Sequence, residues 1–209
     1  NAATRYRPRT RRWRMQAEAI PTRHQLRAAA RSLRAGTILA YPTEGVFGLG
    51  CDPDQPATLR RLLALKARRA DKGLILLAAD VSQLSRFMAP LTPEQREQLA
   101  ASWPGPITWI VPARPGLDSL LTGGRATLAM RVTAHAPARA LCRAFGGAIV
   151  STSANRSGHP PARSPLAVQR TLGPLLCLPG RLGGLAGPTA IFDLATGRCL
   201  RPGPSKEAS

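Results

Sequence analysis

The spacing of apolar and polar positions divides the chain into short strands and amphipathic helices. Residues 23–35 carry leucine and alanine at helical spacing, and the preceding Thr22 and Gln25 are typical of a capping box. Residues 74–79 are apolar without interruption, which predicts a strand covered on both faces. Further helices are predicted to begin at residues 54–56 and at residue 92, and to span residues 137–145 and 165–172. Further strands are predicted to begin at residue 37 and to span residues 107–113, 127–133, 148–151, 189–194 and 198–200.

Strands that alternate with helices in this way predict one α/β (α+β) domain with an open, twisted, mixed β-sheet flanked by helices. The chain of 209 residues is long enough for one sizeable core. Residues 1–14 hold six arginines and no acid, so we expect a disordered basic extension, with Met15 as a candidate natural start and the domain at 15–209. The stretch 38–51 predicts a strand followed by a glycine-punctuated turn. The Gly/Pro-rich stretch 179–188 predicts a long loop, either a lid or a plain connection.

The excess of basic over acidic residues indicates which kinds of binding partner to expect. Lys and Arg number 30 against 11 Asp and Glu, giving a net charge of +19. This excess favours an RNA or nucleotide partner, and the alternative is an arginine-rich composition without a role in binding. Aromatic residues make up only 4% of the chain, which argues against a platform of stacked bases.

Several other classes are not expected. No apolar run approaches the roughly 20 residues of a membrane helix, and the arginine-rich start lacks the apolar stretch of a secretory signal. Cys51, Cys142, Cys177 and Cys199 are far apart, so we expect reduced thiols in the cytoplasm rather than zinc ligation or a disulfide framework. The sequence contains no P-loop, no G-x-G-x-x-G, no Ser/His/Asp triad and no paired carboxylates. Because acids are scarce, a metal cage is not expected, although Mg²⁺ carried by phosphates needs few protein ligands.

A group of cations directly precedes the apolar run 74–79. Lys66, Arg68, Arg69 and Lys72 follow the predicted helix that starts near residue 56. Cations at a helix C-terminus are stabilising by about 0.3–1 kcal/mol, which explains such residues without any ligand. Four cations beside a buried strand are equally well explained by an anionic small molecule that they face.

Hydroxyl groups and one arginine supply further candidate chemistry. In the predicted strand 127–133, Thr127 and Arg131 lie on the same face. Arg131 is either an ordinary surface residue or a bidentate ligand for a carboxylate. The run STSAN at 151–155 follows a short apolar strand and is either a polar anion nest or an ordinary cap or turn.

Together these segments resemble the YrdC family, the threonylcarbamoyl-AMP synthases. The resemblance covers about residues 20–203. It rests on YPTEGVFGLG at 41–50, LKAR at 65–68 with KGL at 72–74, WPGPIT at 103–108, AMRV at 129–132, STSANRSG at 151–158, TAIFD at 189–193 and LRPG at 200–203, in the family's order. Many relatives have a threonine where this chain has Gly45, so the resemblance assigns no contact there.

The resemblance implies a single catalytic domain with a positively charged concave cavity. It implies a nucleotidyltransferase that joins L-threonine, bicarbonate and ATP into threonylcarbamoyl-adenylate and pyrophosphate. Partner proteins would then transfer the threonylcarbamoyl group to an adenosine next to the tRNA anticodon, and Mg²⁺ would arrive with ATP.

The resemblance also implies roles for individual residues. Lys66, Arg68 and Lys72 would offset phosphate and carbamate charge, and Ser153 and Asn155 would hydrogen-bond phosphates or bicarbonate. The ATP-binding site would include Lys66, Thr127, Ser153, Asn155 and Arg201. The binding site for the substrate L-threonine would include Thr43, Arg68, Arg131, Ser151 and Thr189.

Two other functions fit the same residues. A non-catalytic protein for structured RNA, such as tRNA or double-stranded RNA, or a ribosome-maturation factor, would use the same basic cavity and show steep salt dependence without ATP turnover. A carbamoyl-transferring relative would carry this fold as one module of a larger enzyme. The sequence shows no flanking zinc-finger-like cysteines or acylphosphatase-like segment that would favour this second alternative.

Overall fold

A nine-stranded mixed β-sheet organises the part of the chain that the computed structural model describes, residues 20–204. Its strands are β1 (Leu39–Pro42), β2 (Phe47–Cys51), β3 (Ile75–Ala78), β4 (Ile107–Pro112), β5 (Thr127–Val132), β6 (Ile149–Ser153), β7 (Leu176–Cys177), β8 (Ala190–Asp193) and β9 (Cys199–Arg201). Their order in the sheet is β7-β1-β2-β6-β3-β5-β4-β8-β9. The pairs β1–β7, β3–β5 and β4–β8 are parallel and the other neighbours are antiparallel. The expected extension at 1–14 lies outside the described residues.

Six α-helices flank the sheet in these residues, which confirms the predicted α/β domain. They are α1 (Arg23–Arg34), α2 (Pro56–Leu65), α3 (Pro93–Ala100), α4 (Ser119–Thr122), α5 (Ala136–Phe145) and α6 (Pro165–Leu172). The predicted capping box of α1 is confirmed, because Gln25 donates its backbone N–H to Thr22 and accepts the N–H of Thr22 in return.

Strict alternation of side chains gives the two faces of the sheet different roles. On one face, alternate strand residues join the buried residues of α2, α3, α4 and α6 in the larger core. On the other face, α1 and α5 cover one end of the strands, where Tyr41, Leu77 and Ile149 pack against them. The other end of this second face lies beyond α1 and α5.

The glycine-rich stretch after β1 differs from the sequence prediction. Instead of a turn alone, residues 47–51 form β2, which pairs with β1. A Cβ atom on Gly50 would lie 2.8 Å from Cε1 of Tyr41, and one on Gly48 would lie 3.2 Å from Cζ of the same ring. These glycines therefore make room for the buried Tyr41 ring, a non-local requirement that turn statistics do not contain.

The ends of β6 also differ from the prediction. We expected a strand at 148–151 followed by a polar loop, whereas β6 continues to Ser153, which pairs with Gly48 of β2. The hydroxyl groups of Ser151 and Ser153 therefore lie on a strand and share one face of the sheet.

The four cysteines are free thiols. Among residues 20–204, no three or more His, Cys, Asp or Glu side chains form a group that could hold a metal ion. None of the helices in that range is both long and apolar enough to cross a membrane.

Candidate functional site

The central strands form the floor of a cavity on the second face of the sheet. The register places Ser151 beside Ile75, Ile75 beside Ala129, and Ala129 beside Ile110, so that β6, β3, β5 and β4 contribute one row. All four side chains line the cavity. Because serine and alanine are small, the row is recessed, which leaves room for a ligand between longer side chains at its rim.

The side chains around this floor are mainly hydroxyl groups and cations. Of the site residues predicted from the sequence, the lining includes Thr43, Arg68, Lys72, Thr127, Arg131, Ser151, Ser153, Thr189 and Arg201. Arg125 also lines the cavity. Within the described residues, the lining contains no Asp or Glu. Anion binding in this cavity remains a prediction.

Lys66 lies directly behind the cavity, at the C-terminal end of α2, and is only 2% exposed. Its ammonium donates to the backbone oxygens of Ser153 and Asn155, the latter at 2.7 Å, and to Oδ1 of Asn155 at 3.3 Å. Ser153 Oγ donates to the same Oδ1 at 2.6 Å. Burial and then the charge of Arg68 lower the pKa of Lys66 to about 8. Lys66 therefore fastens the end of β6, and its predicted contact with phosphate remains a prediction.

A sharp backbone turn separates Lys66 from Arg68. Ala67 between them has a φ of 46°, in the left-handed region that non-glycine residues rarely adopt. As a result Lys66 points to the end of β6, whereas Arg68 reaches the cavity and donates to the backbone oxygen of Gly73 at 3.0 Å.

Arg131 and Glu44 form a buried ion pair at one end of the cavity. Arg131 Nη2 lies 3.2 Å from Glu44 Oε2, and the two side chains are 6% and 9% exposed. Thr133 donates to the other Glu44 oxygen at 2.6 Å, and Arg131 Nη1 donates to the hydroxyl of Thr189. Arg131 Nε has no hydrogen-bond partner. The guanidinium is therefore held in place from two sides, and its five N–H groups outnumber the partners that the structure gives it.

Two hydroxyl groups lie at the same end. Tyr41 donates its phenolic O–H to Ser151 Oγ at 2.6 Å, and burial raises the pKa of Tyr41, which keeps it a donor. Ser151 Oγ therefore has its own hydrogen available for another acceptor. Thr43 Oγ1 donates to the backbone oxygen of Val46 at 2.7 Å, so its oxygen lone pairs remain available to a donor.

Arg201 extends the row of cations along the rim. Its Nη2 donates to the backbone oxygen of Thr189 at 2.7 Å. Burial lowers the pKa of Arg201, and the positive charges of Arg131 and Arg68 lower it further. Arg201 therefore lies close enough to Arg131 and to Arg68 for their charges to act on it.

Residues 182–188, which we call the strap, cross over this end of the cavity. Their backbone N–H groups donate to β1–β2 connection residues, Gly183 to Thr43 at 3.0 Å and Leu185 to Glu44 at 2.9 Å. Arg163 Nη1 donates to the backbone oxygen of Gly45 at 2.8 Å and to that of the strap residue 186 at 2.9 Å. The predicted loop is thus fastened across the site, and its opening as a lid remains a prediction.

Substituting Gly45 with alanine should displace the strap. A Cβ atom there would lie 2.0 Å from the backbone oxygen of Gly187, so one of the two segments must move. We expect the amide hydrogen of Leu185 to exchange with solvent at least about tenfold faster, because its bond to Glu44 lengthens. Hydrogen exchange read by mass spectrometry measures this effect.

Gly187→Ala is the matched control for that substitution. Its Cβ would lie 3.7 Å from Pro204 Cβ, an ordinary contact, so exchange at Leu185 should stay close to that of the unmodified protein. Equal exchange in the Gly45 and Gly187 variants would contradict the close packing of the strap.

One predicted cation does not join the site. Arg69 was expected to face a ligand with its neighbours, but its side chain is 79% exposed and pairs with Asp71 at 2.7 Å. This expectation was wrong because Arg69 does not line the cavity and its charge is paired with Asp71 at the surface. Sequence reasoning also missed Glu44 and Arg125. The signals present were an acid inside the 41–50 motif and a cation two residues before the predicted strand at 127.

The chain is similar to many known proteins. The model of the Sua5_yciO_yrdC family, described as "Telomere recombination", matches residues 31–203. The threonylcarbamoyl-AMP synthase of Nitrosococcus oceani is 52% identical over 179 residues, which cover 85% of this chain and 97% of that protein. The protein of the same name from Methylococcus capsulatus is 54% identical over 179 residues, 85% of this chain and 96% of its own length.

A solved structure shares the architecture. The crystal structure of Sua5 from P. abyssi complexed with L-threonine matches with a TM-score of 0.78 and 31% identity. The match covers 85% of this chain and 54% of the P. abyssi protein.

Proposed function

The chain belongs to the Sua5_yciO_yrdC family, and from this premise we propose that it is an enzyme that forms threonylcarbamoyl-AMP and pyrophosphate from L-threonine, bicarbonate and ATP. Relatives of that name are more than half identical to it over 85% of the chain. The observation that carries the proposal is one cavity whose lining combines Arg131 with the cations Arg68 and Lys72. An arginine such as Arg131 suits a carboxylate, and the group of cations at Arg68 and Lys72 suits a polyphosphate.

In this proposal the amino acid binds at the Arg131 end. The Arg131 guanidinium would hold the threonine carboxylate, and the hydroxyl of Thr189 orients the guanidinium by accepting a hydrogen bond from Nη1. Ser151 and Thr43 would hydrogen-bond the amino or hydroxyl group of threonine, since each has a hydroxyl on the lining. The relative from P. abyssi was crystallised with L-threonine, which supports an amino-acid site on this fold.

ATP would then lie along the rest of the cavity. Arg68, Lys72 and Arg201 would offset the phosphate charges, and Ser153 would donate to a phosphate or to bicarbonate. Thr127 would form part of the nucleotide wall. Positioning and charge neutralisation are the main means of accelerating such a transfer between anions.

The reaction couples two steps. The amine of threonine adds to the bicarbonate carbon with loss of water to give a carbamate. A carbamate oxygen then attacks the α-phosphorus of ATP, the bond to the β-phosphate oxygen breaks, and pyrophosphate leaves. This chemistry makes the protein a nucleotidyltransferase. The cations would stabilise both the attacking carboxylate-like oxygen and the leaving phosphates.

Mg²⁺ and further proteins complete the proposal. Mg²⁺ would be held by the phosphates of ATP, because the lining in residues 20–204 offers hydroxyls and cations rather than carboxylates. Partner proteins would transfer the threonylcarbamoyl group to tRNA. The names of the curated relatives favour this enzyme over a non-catalytic RNA-binding protein.

A radiochemical assay tests the proposal. The protein is incubated with ATP, Mg²⁺, ¹⁴C-bicarbonate and either threonine, serine or valine, and both pyrophosphate and labelled adenylate are measured. We expect threonine-dependent pyrophosphate release with matching ¹⁴C in the adenylate. Absence of both products with every amino acid, in a protein shown to be folded, would contradict the proposed function.

A further inference from the structure

Three cations from two separate segments meet at the end of the cavity away from Arg131. Arg68 and Lys72 come from the segment after α2, and Arg125 comes from the loop before β5; all three line the cavity. Arg125 Nη1 donates to the backbone oxygen of Asp71 at 2.6 Å, and Arg68 Nη2 donates to that of Gly73 at 3.0 Å. The two arginines thus hold the turn that carries Lys72 from both sides.

Within the part of the chain that the structure describes, no side chain forms an ion pair with these three cations. No carboxylate oxygen lies within 4.0 Å of a charged nitrogen of Arg68, Lys72 or Arg125, and the nearby Asp71 pairs with Arg69 instead. Three like charges repel one another, so an anion that binds between them would relieve this repulsion. Burial, and then the charge of Arg125, lower the pKa of Arg68, whereas the charge of the nearby Asp71 raises it.

The position of the cluster identifies which part of a ligand it would meet. Thr127 and Arg131 are four residues apart on β5, about 13 Å at the rise of a strand, and Arg125 lies further in the direction of Thr127. If a carboxylate binds at Arg131, the carbamate reaches the α-phosphorus from that end of the cavity. The attacking and leaving oxygens lie roughly in line at that phosphorus, so the β- and γ-phosphates extend away from Arg131 and toward Arg125.

We propose that Arg125, together with Arg68 and Lys72, binds the β- and γ-phosphates of ATP and holds them as they leave as pyrophosphate. This inference rests on the proposed function for the identity of the ligand, and on the convergence of the three cations in the cavity for the site itself. It assigns Arg125 to the leaving group alone. Adenosine monophosphate, which lacks those phosphates, makes no contact with it.

Isothermal titration with three anions tests this assignment. ATP, inorganic pyrophosphate and AMP are each titrated into the unmodified protein and into the Arg125→Gln and Arg125→Lys variants. Glutamine retains a donor for the Asp71 oxygen but lacks the charge. We expect Arg125→Gln to weaken ATP and pyrophosphate about tenfold, as for a lost charge-assisted hydrogen bond, and to leave AMP within twofold. Arg125→Lys should recover most of the affinity.

Arg170→Gln is the matched control, since it removes the same charge from an exposed position on α6. It should leave all three affinities unchanged, and circular dichroism melts confirm that each variant is folded. Equal weakening of AMP and pyrophosphate by Arg125→Gln, or the same loss in Arg170→Gln, would overturn the assignment.

The outcome separates this inference from the proposed function. Normal threonine-dependent turnover with unchanged pyrophosphate affinity in Arg125→Gln would overturn the role of Arg125 and leave the enzyme proposal standing. If the unmodified protein showed no turnover but bound pyrophosphate through Arg125, the enzyme proposal would fail and the anion site would be supported.

Discussion

Replacing Lys66 with methionine should lower threonine-dependent pyrophosphate release by a factor of about 100–1,000, the loss typical of one preorganised electrostatic contact. Methionine keeps an unbranched side chain in the buried space but cannot donate to the oxygens of Ser153 and Asn155. The C-terminal end of β6 then loses its hydrogen bonds to residue 66, and the hydroxyl of Ser153 is no longer held in a fixed orientation toward the cavity. Steady-state release of pyrophosphate measures the effect.

Unfolding must be separated from this loss of activity. Buried acceptors that lose their donor cost about 1–3 kcal/mol, so the melting temperature should fall by several degrees while the fold persists. Arg60→Met, at an exposed position on the same helix, should keep full activity. Arg68→Ala should abolish pyrophosphate release without the loss of stability, because its partners lie in a partly exposed turn. Full activity in both the Lys66 and Arg68 variants would remove the cation mechanism.

Replacing Arg131 with glutamine should raise the KM for threonine at least about a hundredfold, since a bidentate charged contact is lost. The same change leaves the Glu44 carboxylate buried without its counter-ion, and breaking one side of a buried ion pair costs about 3–5 kcal/mol. Two measurements, threonine KM and the free energy of unfolding in urea, should therefore both change.

The double variant Glu44→Gln/Arg131→Gln separates the two effects. With both charges removed, Thr133 can still donate to residue 44, so most of the stability should return. Threonine affinity should remain low, because the donor for its carboxylate is still absent. Recovery of threonine affinity in the double variant would show that Arg131 acts only through stability and would contradict its assignment to the substrate.

Predictions from the sequence succeeded where the cause is local. The reciprocal bonds of Thr22 and Gln25 follow from their spacing alone, and so does the shared face of Thr127 and Arg131 on β5. The apolar run at 74–79 correctly indicated a buried central strand. In each case the relevant neighbours lie within a few residues of chain.

The features that the sequence did not predict depend on contacts between residues far apart in the chain. Lys66 faces atoms 87 to 89 residues away, so nothing in its own segment shows that it supports β6. The left-handed backbone at Ala67 gave no signal either, because alanine does not mark such turns. Arg125 joins Arg68 only through the fold. Such residues become visible once the register of β3 and β5 is known.

The strap is attached through its main chain, and this determines which inherited changes the protein can tolerate. Its amides and carbonyls make the bonds to Glu44 and Arg163, whereas the side chain of Ala186 makes none of them. Substitutions at Ala186 should therefore be nearly neutral. Insertion or deletion of a single residue would shift each amide to the wrong acceptor, so natural selection should conserve the length of this segment more strictly than its composition.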